Sequence, residues 1–128
     1  MATIMAQRVI DREKLQVILN YIKSKIIKDE FNISNRNKNY EFRRRYRFKN
    51  KSCFKPILLD LTCNDFNKCD VEEQPDLDGE GAIYVFIKEC KLINFTGEEE
   101  HQKVYIKIKI PNIEGDLPII SFHVCEYQ

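Results

Sequence analysis

The chain has 128 residues, of which 43% are hydrophobic and 32% charged, with four Gly, four Pro and no Trp. That composition excludes collagen-like, coiled-coil and strongly disordered classes and carries too much charge for a membrane bundle, leaving a single domain, 1–128, with its own core. Twenty-one basic against 20 acidic residues give a formal +1, a sum that conceals two large blocks of opposite sign.

The segment Met1 to Arg8 lacks the apolar stretch of a secretory signal, and no run approaches the ~18 apolar residues of a membrane span. Asp11 is placed to cap a helix, with Ile10 and Leu15 flanking it as a hydrophobic staple. Leu15, Ile18, Leu19, Ile22 and Ile26 then recur at spacings of three and four, and Val17, Tyr21 and Ile27 widen the stripe. This predicts an amphipathic helix that fades near Glu30, where the Asn-rich stretch Asn32 to Asn39 competes for the backbone.

From Tyr40 the period becomes two. Tyr40, Phe42, Tyr46 and Phe48 share one strand face, with Arg44 as the exception, and Glu41, Arg43, Arg45, Arg47 and Lys49 share the other. Ile57 to Leu61, after Pro56, predicts a second strand paired with the first. An acidic, turn-rich connection from Asn64 to Gly81 follows. Ala82 to Ile93 begins apolar on both faces and predicts a central strand covered on both sides. A hairpin through Asn94 to Gln102 leads to Val104, Ile106, Ile108 and Ile110, which alternate with Lys103, Tyr105, Lys107 and Lys109. Ile120, Phe122 and Val124 continue the inner face in a last strand. The expected fold is α+β, an N-terminal amphipathic helix packed on a curled, mainly antiparallel sheet of about five strands. Val104 to Ile110 is placed at a sheet edge, where it could form a homodimer by pairing with its symmetry mate.

Between Arg36 and Lys55 lie nine basic residues and one acidic, a local +8; between Asp60 and Glu80 lie eight acidic and one basic, a local −7. Adjacent blocks can neutralise each other on one surface in exposed pairs of about 0–1 kcal/mol each. The favoured functional reading makes the acidic block a docking surface for a basic protein. The chain is then a stoichiometric binding protein, an inhibitor, antitoxin or immunity-type antagonist of a partner such as a nuclease. Its contacts would be Asp70, Glu72, Glu73, Asp76, Asp78 and Glu80, with Phe66 or Leu77 as apolar anchor and Glu98, Glu99 and Glu100 enlarging the patch. The alternative is a nucleic-acid-binding protein or small ribonuclease. There Arg43, Arg45, Arg47 and Lys49 stand about 6.5–7 Å apart along a strand, near phosphate spacing, and Lys107 and Lys109 extend the basic face.

Catalytic signals are thin. His101 and His123 could act as base and acid in phosphodiester cleavage if they converged, but nothing in their spacing brings them together. Pro75-Asp76 followed by Glu89-Cys90-Lys91 has the outline of a metal-dependent nuclease motif, a spacing that arises easily among 20 carboxylates. Cys53, Cys63 and Cys69 lack the short pairs of a zinc site, and Asp65, Asn67 and Asp70 lack the Gly and Glu of a calcium loop. No catalytic residue, metal or cofactor is therefore assigned. Five cysteines, an odd number, read as free thiols in a reducing cytoplasm.

Overall fold

A computed structural model describes residues 6–7, 11–71, 81–111 and 115–126. In chain order the elements are β1 (Ala6–Gln7), α1 (Arg12–Ile27), β2 (Phe31–Ile33), α2 (Asn37–Arg45), α3 (Lys55–Leu59), β3 (Phe66–Val71), β4 (Gly81–Ile93), β5 (Glu99–Pro111) and β6 (Leu117–Val124). Short 3-10 turns at Lys51–Phe54 and Cys63–Asp65 lead into α3 and β3.

The Asp11 carboxylate caps α1 by accepting from the Lys14 backbone N–H at 2.9 Å. Leu15, Leu19, Ile22 and Ile26 point into the core, as their spacing requires. Val17 (67% exposed), Tyr21 (38%) and Ile27 (62%) do not widen that stripe, because one helix face is all the sheet can cover. Ile10 of the expected staple lies outside the described residues.

The strand expected from Tyr40 is the helix α2. Asn39, Phe42 and Tyr46, spaced by three and four, are its buried side. Phe42 meets Phe48, Phe54 and Phe122 at ring-centroid distances of 5.3, 6.5 and 5.2 Å. The second expected strand, Ile57 to Leu61, is also helical over Lys55–Leu59, with Pro56 in the first turn, where its missing N–H has no helical partner to lose.

The sheet has six strands in the order β1-β3-β4-β5-β6-β2. Its end strands do not pair with each other, so the ladder is open, and β2 runs parallel to β6 through Phe31↔Leu117 and Ile33↔Ile119. The class is α+β and the sheet mainly antiparallel, but the curled form expected for it is overturned. The short strand β2, hidden in the Asn-rich stretch, returns to the far edge and supplies the one parallel pair among the described residues. The placement of Val104 to Ile110 at an edge is likewise overturned, since β5 is bonded to β4 on one side and β6 on the other. Dimerisation through that strand would require breaking a ladder.

β4 is central between β3 and β5, with Tyr84 and Phe86 buried on one face and Ile83 and Val85 on the other. Helices α1, α2 and α3 contribute to one cluster with Phe86, Val104, Ile106, Ile108, Leu117, Ile119 and Phe122 from the inner face of the sheet. A register shift in β6 pairs Lys107 with Ser121 and Ile108 with Ile119. Ile120 is therefore the extra residue of a bulge, and Ile119 takes its expected place on the inner face beside Leu117 and Phe122, with Val124 packed at the core margin as its alternation indicates.

Past the β2 contact, the outer edge of β6 is closed by a side chain. Asn39 accepts from the Phe122 N–H at 2.8 Å and donates to the Ile120 carbonyl at 2.9 Å, bonding to β6 as a neighbouring peptide would. Its remaining N–H donates to the Ser34 carbonyl at 2.9 Å. This buried amide holds the start of α2 beside the outer face of the sheet.

Candidate anion-binding groove

The outer face of β5 and β6 carries a square of four side chains. Tyr105 is opposite His123, and Lys107 is opposite Ser121. Period-two alternation puts all four on the same side, away from Ile106 and Phe122. The Tyr105 and His123 rings stack, with centroids 5.4 Å apart and planes 18° from parallel. Arg36, just before α2, reaches over this face and donates to the Ser121 hydroxyl oxygen at 3.3 Å. Lys38 in the first turn of α2 reaches Glu126 at 2.6 Å. Together these residues line a groove of about 400 Å³.

The groove is lined by three cations, Arg36, Lys38 and Lys107, and one carboxylate, Glu126, which Lys38 pairs and whose carboxyl lies below its ordinary value, chiefly through that bond. Burial pushes the Lys107 ammonium below its ordinary value, and the charges of Arg36 and Lys68 push it further, with Asp70 acting in the opposite direction. Among the described residues no carboxylate forms an ion pair with Lys107 or Arg36. The N-terminal turn of α2 has no side-chain cap, so its backbone N–H groups add to the positive end of the groove. His123 accompanies these cations with a defined tautomer. Its Nδ1 lies 3.0 Å from the Val124 carbonyl, which can only accept, so Nδ1 carries the proton and Nε2 has the lone pair in the neutral ring.

The basic row expected at Arg43, Arg45, Arg47 and Lys49 does not form, because these residues lie on α2 and its C-terminal turn. Arg43 donates to the carbonyls of Phe48 and Lys49 at 3.2 and 3.1 Å. Arg45 pairs with Glu100 at 2.7 Å, and Arg47 adopts a positive φ of 57° just past the helix end. Lys107 and Lys109 do share the outer face of β5, as their alternation indicates. His101 is on that face too, but four residues from Tyr105 along an extended strand, about 13 Å away, and its Nε2 lies 3.4 Å from Glu99. The two histidines therefore do not converge.

Of the expected acidic contacts, Glu72, Glu73, Asp76, Leu77, Asp78 and Glu80 lie outside the described residues, as does the Asp76 half of the nuclease-like motif. Asp70 is buried (3% exposed) and 3.5 Å from Lys68. Phe66 packs at the core margin against Phe86, 5.9 Å between ring centroids. Glu98 accepts from Thr96 at 3.1 Å in the hairpin turn, and Glu99 lies between Lys91 and His101. Glu100 is occupied internally. Hydrogen bonds from Asn94, Gln102 and Tyr46 hold its carboxyl down at about 2, reinforced by Arg45. Burial, with the bond to Glu100, pushes the Tyr46 phenol up to about 12.

The groove residues that the sequence did not single out include Arg36, Lys38, Tyr105, Ser121 and Glu126. The alternation Tyr105-Lys107 and Ser121-His123 marked two outer faces, but their juxtaposition depends on the bulge at Ile120. Among the described residues, no group of three or more His, Cys, Asp or Glu side chains is arranged to hold a metal ion, and no helix is long and apolar enough to cross a membrane. Compared with known proteins, the chain matches no family model, no curated protein and no solved structure.

Proposed function

We propose that the chain binds single-stranded RNA in the groove between the start of α2 and the outer face of β5 and β6. The observation that carries this reading is the convergence of Arg36 and Lys107 on one groove, with Ser121 between them and the Tyr105–His123 stack beside them. Cations set to meet a phosphate backbone, next to an aromatic platform, are the two components of single-strand recognition. Lys103 and Lys109 share the outer face of β5 and lengthen the path the backbone can follow. An intracellular setting belongs to the same proposal, supported by five cysteines that are all free thiols.

The test is fluorescence anisotropy of a labelled 12-nucleotide RNA at several salt concentrations. Binding should weaken as salt rises, and Arg36→Ala and Lys107→Ala should each lower the magnitude of the log–log salt slope by about 0.7, one single-strand phosphate contact. Arg47→Ala and Lys49→Ala, exposed and outside the groove, should leave affinity within about twofold of wild type. Absence of RNA binding, or equal losses from both pairs of variants, would overturn the assignment.

A further inference from the structure

The square of outer-face residues has the parts of a cleaving site as well as a binding one. We propose that the groove cleaves RNA, with His123 taking the proton of a 2′-hydroxyl and Lys107 donating one to the departing 5′-oxygen. This rests on the RNA-binding reading above and adds chemistry to it.

Geometry supplies the argument. His123 and Lys107 are diagonal neighbours on two bonded strands, about 7–8 Å apart at the backbone. An in-line displacement at phosphorus needs its base and acid on opposite sides of the reacting atom, and that separation leaves room for a phosphodiester between them. The Val124 carbonyl fixes the histidine tautomer with Nε2 unprotonated, and the Tyr105 ring stacked on it fixes the imidazole plane. On the other diagonal, the Ser121 hydroxyl accepts from Arg36, so its own O–H remains a donor for a phosphoryl oxygen. Arg36 places a permanent positive charge beside the same oxygen, where negative charge builds as the fifth P–O bond forms. Burial and the neighbouring cations Arg36 and Lys68 make the Lys107 ammonium a readier proton donor than a solvated lysine.

In the reaction, the 2′-oxygen forms a bond to phosphorus as its proton passes to His123 Nε2. The bond from phosphorus to the 5′-oxygen breaks, its electron pair stays on that oxygen, and Lys107 Nζ protonates it. The products are a 2′,3′-cyclic phosphate and a free 5′-hydroxyl. Proton exchange with water returns both side chains to their starting states, so no further reactant is needed. The chemistry requires a 2′-hydroxyl, which restricts the substrate to RNA.

The experiment uses the full chain with three 12-nucleotide substrates: RNA, DNA of the same sequence, and RNA with one 2′-deoxynucleotide at the mapped cleavage position. RNA should be cut to cyclic-phosphate and 5′-hydroxyl ends, identified by mass, while DNA stays intact and the single deoxy substitution blocks its site. His123→Ala and His123→Gln should each slow cleavage at least about 100-fold, the lower range of general-base catalysis, when measured in single turnover with protein in enough excess that all the RNA is bound. Lys107→Arg keeps the charge and should likewise bind but not cut. His101→Ala, outside the groove, should cut like wild type. Wild-type protein that binds RNA and leaves it intact, cleavage of DNA at a similar rate, or full activity in both His123 variants would overturn the cleavage proposal. Failure to bind RNA at all would instead remove the reading on which it rests.

Discussion

Replacing Asn39 by Ala removes a side chain whose polar atoms all face protein. The residue is 1% exposed, and its amide makes three hydrogen bonds of 2.8–2.9 Å, to the Phe122 N–H and to the carbonyls of Ile120 and Ser34. Each such bond contributes a net ~1 kcal/mol, and a buried N–H left without an acceptor costs about 1–3 kcal/mol. Carbonyls tolerate the loss better than the Phe122 donor does, so the total should be about 3 kcal/mol. That is a large share of the ~5–15 kcal/mol by which domains of this kind are stable. With an m-value of about 2 kcal/mol per molar urea, the midpoint should fall by about 1.5 M with m unchanged. The assay is equilibrium urea unfolding followed by circular dichroism, with Asn39→Asp as a companion. The carboxylate introduced there would keep the acceptor, lose both donors and bring a charge into the site, so this variant should be at least as destabilised. A loss below about 1 kcal/mol for Asn39→Ala would refute the idea that this amide closes the edge of β6. Arg36 lies three residues before Asn39 in the chain. The variant, assayed at a temperature where it is fully folded, should therefore also bind RNA more weakly than wild type.

Three further outcomes follow from the packing and titration. Glu100, held at about 2 against an ordinary 4.5, stabilises the folded chain fully above its unfolded value. That contribution is lost as pH falls from about 4.5 through 2, so Glu100→Gln should flatten the fall in Tm over this window. An acid limb identical to wild type would show that the Asn94, Gln102 and Tyr46 contacts do not set that carboxylate. Phe122→Ala empties the centre of the aromatic group formed with Phe42 and Phe54 and should cost about 3–5 kcal/mol in urea unfolding. A cost under about 2 kcal/mol would mean that the cluster repacks. Burial pushes the Cys90 thiol up to about 11, leaving about one molecule in a thousand as thiolate at pH 8. Alkylation at that pH, mapped by mass spectrometry, should leave Cys90 unmodified in the folded chain and label it after denaturation; equal labelling in both states would contradict its protected environment.

The helix α1 and the strand β5 were legible in the sequence because each shows a single period, and β4 because its uncharged apolar run from Ala82 to Ile87 is of strand length and follows Gly81. Residues 40–49 were not, because their aromatics satisfy two periods at once. Tyr40 and Phe42 alternate, as do Tyr46 and Phe48, but Phe42 and Tyr46 are also one helical turn apart, and Asn39 completes that helical side. Counting apolar residues overlooks Asn39, since its burial depends on backbone groups of β6, more than 80 positions later in the chain. Arg44, out of place on the expected strand face, was the local sign of the helix. Ile57 to Leu61 failed for a simpler reason, because a short apolar run does not distinguish strand from helix, although Pro56 at a first-turn position favoured the latter.

The groove shows the same division between local pattern and topology. Alternation alone put Tyr105 with Lys107, and Ser121 with His123, on outer strand faces. Which of these stand opposite each other is decided by the register of β5 against β6, including the unpaired Ile120. Arg36 belongs to the site only because the parallel pairing of β2 with β6 brings the following residues to that edge, where Asn39 fastens α2. The most basic stretch of the sequence therefore misled by its density. Its Arg43 and Arg45 are engaged by backbone carbonyls and by Glu100, whereas the groove draws single cations from separate segments onto one face. Charge counted along a chain measures how many ions are present; their availability to a phosphate depends on which of them the fold has already paired. By that criterion Arg43 and Arg45 are engaged within the protein, whereas Arg36 and Lys107 meet on one groove with no carboxylate paired to either among the described residues.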